Sequence, residues 1–135
     1  NTLTRKKIAK IVFENNDLRK KLEQIIHKEV IRKINDFFFV NHNEKIAIAS
    51  VPLLFEAKLE NLFDIIIFVQ ADENIRLKRL MNRNKYNKEF AKKIMDAQIN
   101  EHLKIPLSNF IIQKNKDEVF LKNQIDEIIK KLNII

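Results

Sequence analysis

The run Ile65-Ile66-Ile67-Phe68-Val69, leaving through Gln70-Ala71-Asp72 into the arginine-bearing segment 73–84, decides the fold class of this chain. Its five consecutive apolar residues do not alternate with polar ones. Both faces of the element they form need cover, which is the pattern of a strand inside a parallel sheet. Two other short apolar runs resemble it: Ile46-Ala47-Ile48-Ala49-Ser50-Val51 and, more weakly, Phe110-Ile111-Ile112. Helical periodicity fills the intervals. Residues 53–62 are just long enough for a crossover helix, and 73–84 and 88–104 give two more. Residues 119–132 close the chain with Leu121, Ile125, Ile128, Ile129 and Leu132 on one face. Strand and helix therefore alternate, and the expected architecture is α/β around a thin parallel sheet of three strands.

Upstream of these runs the pattern is helical. Leu3, Ile8, Ile11 and Val12 repeat near the helical period, with Thr2 or Thr4 available to cap. Asn16 or Asp17 can cap a second helix with Leu18, Leu22, Ile25, Ile26, Val30 and Ile34 on its apolar face. Phe37-Phe38-Phe39 lacks sheet-like alternation and is assigned to helix packing.

Composition narrows the functional classes. A chain of 135 residues suits one domain. Zero Cys excludes disulfides, thiolate metal sites and a cysteine nucleophile, and it suits a reducing cytoplasm. There is no apolar stretch of bilayer-spanning length and no signal-peptide pattern. Gly is 0, where average usage would give about nine, so no glycine-rich phosphate loop can be built from these residues. The chain opens at Asn1 rather than Met, and with the glycine count this reads as a segment of a larger protein.

Lys plus Arg is 26 and Asp plus Glu is 18, a net charge of +8. Eight of the basic groups (Arg76, Lys78, Arg79, Arg83, Lys85, Lys88, Lys92 and Lys93) fall within 76–93 beside one acid, Glu89. Such a local field concentrates anions, and nucleic acid, nucleotide phosphates or plain solvation of a basic helix all satisfy it. The order of the arginines says more. At about 100° per residue with Leu77 at zero, Leu80 and Met81 flank the buried side. Arg79, Arg83 and Arg76 fall at about 200°, 240° and 260°, on the side away from the core. Three planar guanidinium forks in one stripe above a strand end suit a phosphate clamp, against the alternative of a surface stripe with no ligand. A second strand end, Val51-Pro52-Leu53-Leu54-Phe55-Glu56, has a proline where a ladder would stop and Glu56 a turn into the next helix. Glu56 is either a solvated helix acid or a group at the mouth of the sheet. His27, His42 and His102 share no ligand spacing, so no metal site is expected. His27 reads first as a partly buried structural residue.

These residues resemble the C-terminal two-thirds of the dephospho-CoA kinase family of P-loop kinases. The likeness runs through Leu3-Thr4-Arg5-Lys6-Lys7-Ile8, Ile11-Val12-Phe13 and Leu22-Glu23-Gln24-Ile25-Ile26-His27 to Val51-Pro52-Leu53-Leu54-Phe55-Glu56, its most specific piece. It continues through Phe63-Asp64, Arg79-Leu80-Met81-Asn82-Arg83-Asn84 and Ala97-Gln98 in matching order. Departures are His27-Lys28 for the family's His-Pro, Arg83-Asn84 for its Arg-Asp, and Ile112-Gln113-Lys114-Asn115-Lys116 for its Ile-Asp-Asn-glycine stretch.

The resemblance implies a three-layer P-loop kinase-like α/β fold, here truncated: a helical substrate region at 1–44, core sheet at 45–70, a helical lid at 71–104, and a core strand with the last helix at 105–135. It implies transfer of the ATP γ-phosphate to the ribose 3′-hydroxyl of dephospho-CoA, with ATP and Mg²⁺ held mainly by residues outside this chain, in the cytoplasm and without membrane or nucleic-acid partners. By the same likeness Arg79 and Arg83 are the catalytic lid arginines, and Arg76 and Asn115 join them on the nucleotide. Arg5, His27, Pro52, Leu53 and Glu56 line the dephospho-CoA side, and Gln98 sits on the lid's returning helix. The chain alone is expected to be inactive. A basic nucleic-acid-binding module and a helical interaction domain are the competing readings.

Overall fold

A computed structural model describes residues 5–133, apart from the side chains of Arg5, Lys6, Phe13 and Asn84. The caps foreseen at Thr2 and Thr4, and the packing of Leu3, lie outside the described residues. The chain divides into two compact units, 1–52 and 53–135.

The first unit is a helical pair followed by irregular chain. Helix α1 spans Arg5–Glu14 and α2 spans Asn16–Val40. The cap of α2 is Asn15, one residue before the expected pair: its Oδ1 accepts from the Asp17 and Leu18 N–H groups at 3.0 and 3.1 Å. That satisfies two of the donors a helix start leaves unpaired. The apolar face is only partly buried. Ile34 is buried, whereas Leu18, Ile25 and Ile26 are exposed. The phenylalanine run does lie in the helix, but Phe39 is 79% exposed, so its expected packing is not met.

Residues 46–51 are not a strand. Their exposure alternates as a strand's would, with Ile46 and Ile48 outward, yet no ladder hydrogen bond reaches them. Alternation is a property of the sequence alone. A strand also needs a neighbour to pair with, and the described residues supply none.

The second unit holds the sheet. Strand β1, Ile67–Gln70, pairs in parallel with β2, Phe110–Gln113, in the register Ile67 to Phe110 through Gln70 to Gln113. Among the described residues the sheet therefore has two strands rather than three. Side-chain amides close this short ladder. Asn109 Oδ1 accepts from Ile66 N–H at 2.8 Å at its start. The Gln124 amide takes both backbone groups of Gln113 at 2.9 and 3.0 Å. Burial on both faces is not found: Ile112 is buried, but Ile67 and Val69 are exposed.

The 53–62 crossover helix is also absent. One turn forms, with Ala57 N–H on Leu53 O at 3.0 Å, and it ends at once in a Schellman motif. Lys58 takes the left-handed position (φ 54°), Lys58 N–H bonds Phe55 O and Leu59 N–H bonds Leu54 O. A 3-10 turn, Glu60–Leu62, follows. This compact plug buries Leu54, Phe55 and Leu59, with Phe55 edge-on to Phe68 of β1 at 6.3 Å.

Helix α3, Glu73–Asn84, matches its periodicity. The expected helix over 88–104 breaks into α4, Lys88–Asp96, and the single turn α5, Glu101–Lys104, with Asn100 capping α5 and a 3-10 turn at Ile105–Leu107. Gln98 thus lies in the break, not on a helix. Helix α6, Glu118–Leu132, is capped by Asp117 Oδ1 on Phe120 N–H at 2.9 Å and turns Ile128 inward. No described helix is long and apolar enough to cross a membrane.

Candidate functional site

In a parallel sheet every strand ends on the same edge, and there the chain turns into helices whose first residues overlook it. Here that edge is Gln70-Ala71-Asp72 after β1 and Lys114-Asn115 after β2. Lys114 N–H still bonds Gln70 O at 2.8 Å, so the two strand ends are locked side by side.

Asp72 stands at the N-cap position of α3 without capping it. Its Oδ1 instead accepts from Asn115 Nδ2 at 2.7 Å, while its own N–H donates to Asn115 Oδ1 at 2.9 Å. The reason is competition. A side-chain amide beside the edge offers a donor and an acceptor together, and the carboxylate takes it in preference to the helix N–H groups. Asn115, expected on the nucleotide, thus has both amide atoms engaged with residue 72.

The three arginines separate into different environments. Arg76, expected on the side away from the core, is half-buried instead, because one Nη donates to Glu101 Oε1 and the other to Gln98 Oε1 at 3.0 Å. The second Glu101 oxygen accepts from Gln70 Nε2 at 3.2 Å, so this network reaches the last residue of β1. Arg79 is exposed and donates from Nη2 to the Lys114 carbonyl at 3.1 Å, which puts its guanidinium at the carboxyl edge of the sheet. Arg83, in the last turn of α3, is exposed. Leu77, Leu80 and Met81 are the less exposed face, as the helical wheel requires.

Glu56 is neither solvated nor on a helix. Its Oε1 accepts from Lys104 Nζ at 2.7 Å and from Ile99 N–H at 3.1 Å, with only 15% and 8% of the Glu56 and Lys104 side chains exposed. Its Oε2 is buried and accepts no hydrogen bond from any described residue. Leu53 begins the same plug. Pro52 belongs to the first unit, where it ends an apolar groove of about 320 Å³. Val30, Ile34 and Phe37 of α2 and Val51 line that groove, and Lys33 is its one charged lining residue. His27 lies half-buried on α2, and Arg5 starts α1.

Sequence reasoning missed Glu101, Lys104 and Gln70. No local signal could have found them, because Glu101 meets Arg76 across 25 positions and Lys104 meets Glu56 across 48.

A family model described as dephospho-CoA kinase (CoaE) matches residues 1–119. Among curated proteins, the dephospho-CoA kinase of Rickettsia bellii is 33% identical over 93% of this chain and 66% of its own length. That of Oceanobacillus iheyensis is 35% identical over 98% of this chain and 67% of its own. Among solved structures, the dephospho-CoA kinase from Campylobacter jejuni superposes with a TM-score of 0.62 at 29% identity, covering 97% of this chain and 66% of that one. The chain thus spans about two-thirds of the length of the proteins it matches.

Proposed function

The chain belongs to the dephospho-CoA kinase family, and from that membership and the arginines at the sheet edge we propose that it forms part of an enzyme phosphorylating dephospho-CoA. In this reaction the ribose 3′-oxygen attacks the γ-phosphorus of ATP. The bond from that phosphorus to the bridging oxygen breaks, ADP leaves with the electron pair, and the hydroxyl proton is released. Such chemistry is mostly positioning and charge neutralisation.

The observation that carries this reading is the Arg79 guanidinium at the carboxyl edge, joined to the carbonyl of Lys114 and otherwise exposed. Arg79 and Arg83 grip the phosphates as the helical segment 71–104 closes over them, which excludes water and concentrates positive charge on the transferring group. Arg76 supports the other two from below. Asn115 serves the nucleotide side indirectly, by holding Asp72 at the foot of α3. In the first unit, segment 1–44 with Arg5 and His27, together with Pro52, serves dephospho-CoA. In the second unit, Leu53 and Glu56 serve the acceptor, 53–70 and 105–135 form the core, and the setting is the cytoplasm. Mg²⁺ would neutralise phosphate charge in such a reaction. Among the described residues no three His, Asp or Glu come together to hold a metal; in phosphoryl transfer Mg²⁺ takes one or two carboxylates together with phosphate oxygens and water.

Isothermal titration of ATP and dephospho-CoA into the chain tests the assignment. Arg79→Ala should weaken ATP binding roughly tenfold, the scale of one hydrogen bond to a charged group, and affect dephospho-CoA less. ATP affinity indifferent to both Arg79→Ala and Arg83→Ala would remove the phosphate role. A gel shift falling steeply with salt would favour nucleic acid as the partner of the basic stretch instead.

A further inference from the structure

The break between α4 and α5 ties down the helical hairpin α3–α4 at two points. At the first, Glu101 uses one carboxylate oxygen on Arg76 and the other on Gln70, and Gln98 takes the second Nη of Arg76. At the second, Ile99 N–H and Lys104 Nζ converge on one oxygen of Glu56. Besides these ties, α3 meets the end of β2 through Arg79 on the Lys114 carbonyl and Asp72 on Asn115. Ala91 of α4 is fully buried, Tyr86 meets Phe90 edge-on at 4.9 Å, and Lys85 turns the chain in the left-handed region.

We propose that Glu101 is a positioning residue: by clamping Arg76 to the end of β1 it fixes the root of α3 and so sets where Arg79 and Arg83 stand over the sheet edge. The inference rests on the phosphate role given to those two arginines above. Its physical basis is geometric. Arg76 precedes Arg79 by three residues, under one turn, so a rotation of α3 about its axis displaces both guanidiniums together. A fork held on two sides, with both oxygens of its carboxylate engaged, resists that rotation as a single point contact would not. The Arg76 and Glu101 side chains are 29% and 22% exposed, so solvent screens the pair less than it would a surface pair. The stripe of three arginines therefore has two jobs. Arg76 spends its donors inside the protein, whereas Arg79, with one Nη on the Lys114 carbonyl, and Arg83 are exposed and offer their remaining donors to a ligand.

The chain has no Cys, so Lys92→Cys on α4 and Lys122→Cys on α6, both exposed positions, take spin labels selectively. Pulsed-resonance distances in the unliganded chain should give one narrow distribution. Glu101→Gln and Arg76→Gln should each broaden it while the far-ultraviolet circular dichroism stays unchanged. Distributions that superimpose on the parent's in both variants overturn the proposal. A second readout separates positioning from mere support. The roughly tenfold loss of ATP affinity from Arg79→Ala should shrink to roughly threefold in the Glu101→Gln background, the coupling expected of residues in one network. The same loss in both backgrounds overturns the positioning role. Absence of ATP affinity in the parent chain would remove the phosphate role of Arg79 and Arg83 within this chain, and the label distances would still decide whether Glu101 holds the hairpin.

Discussion

Glu29 and Glu56 show how the same carboxylate serves differently with its surroundings. On the open face of α2, Glu29 accepts from Arg32 Nη2 at 2.6 Å and Nε at 3.1 Å, and Arg32 also donates to Asp36 at 2.7 Å. The hydrogen bonds from Arg32 hold the Glu29 carboxyl below the usual glutamate range. A carboxyl depressed in the folded state stabilises it fully above the unfolded value and loses that contribution as pH falls through the depressed one. Acid titration followed by circular dichroism should therefore show α2 weakening below the ordinary glutamate pKa, and Glu29→Gln should flatten that limb. Glu56 sits instead in a nearly dry site, paired with Lys104. Lys104→Met leaves a buried carboxylate without its counter-charge, at a cost of about 3 kcal/mol measured by urea unfolding. Adding Glu56→Gln should recover part of this. A double variant no more stable than Lys104→Met alone would show the two are uncoupled. Residue identity was plain in the sequence at 56, but its partner was not, since nothing within a turn of Glu56 marks Lys104.

Among elements, the absence of glycine has a consequence that the helix ends reveal. Left-handed positions that glycine would occupy without penalty are filled by Lys58, Lys85 and Asn133. At Lys58 the strained residue closes the Schellman motif that turns a potential crossover helix into a plug. Lys58→Gly should raise stability by up to about 1 kcal/mol, relief of the Cβ clash exceeding the added chain entropy. An unchanged or lower urea midpoint would count against this. At the other kind of terminus, Asn15→Ala should cost about 1 kcal/mol and fray the start of α2. Helices α3 and α6 were legible because periodicity is repeated over three or more turns. The 53–62 and 88–104 segments were not, because each break goes with a tertiary hold: Phe55 packed edge-on to Phe68 beside the left-handed Lys58, and Gln98, Ile99 and Asn100 drawn out of helix by Arg76, by Glu56 and by the cap of α5.

For the molecule as a whole, the charge surplus and the glycine count act together. Arginines can grip phosphates from above, but a chain with Gly 0 has no glycine loop to cradle them from below. The 135-residue polypeptide assayed alone should therefore show no steady phosphorylation of dephospho-CoA, and sustained turnover in a coupled assay would contradict this division of labour. The sequence by itself determined the family, the α/β class and the helix that carries the arginines, since each is written in local order and short-range period. Only the tertiary structure decided that 46–51 carries no ladder, that Asn115 is spent on Asp72, and that Arg76 and Glu56 are held by Glu101 and Lys104. Those outcomes turn on which groups meet across dozens of positions, and a pairing energy of that kind depends on distance and burial in space, which periodicity along a chain does not encode.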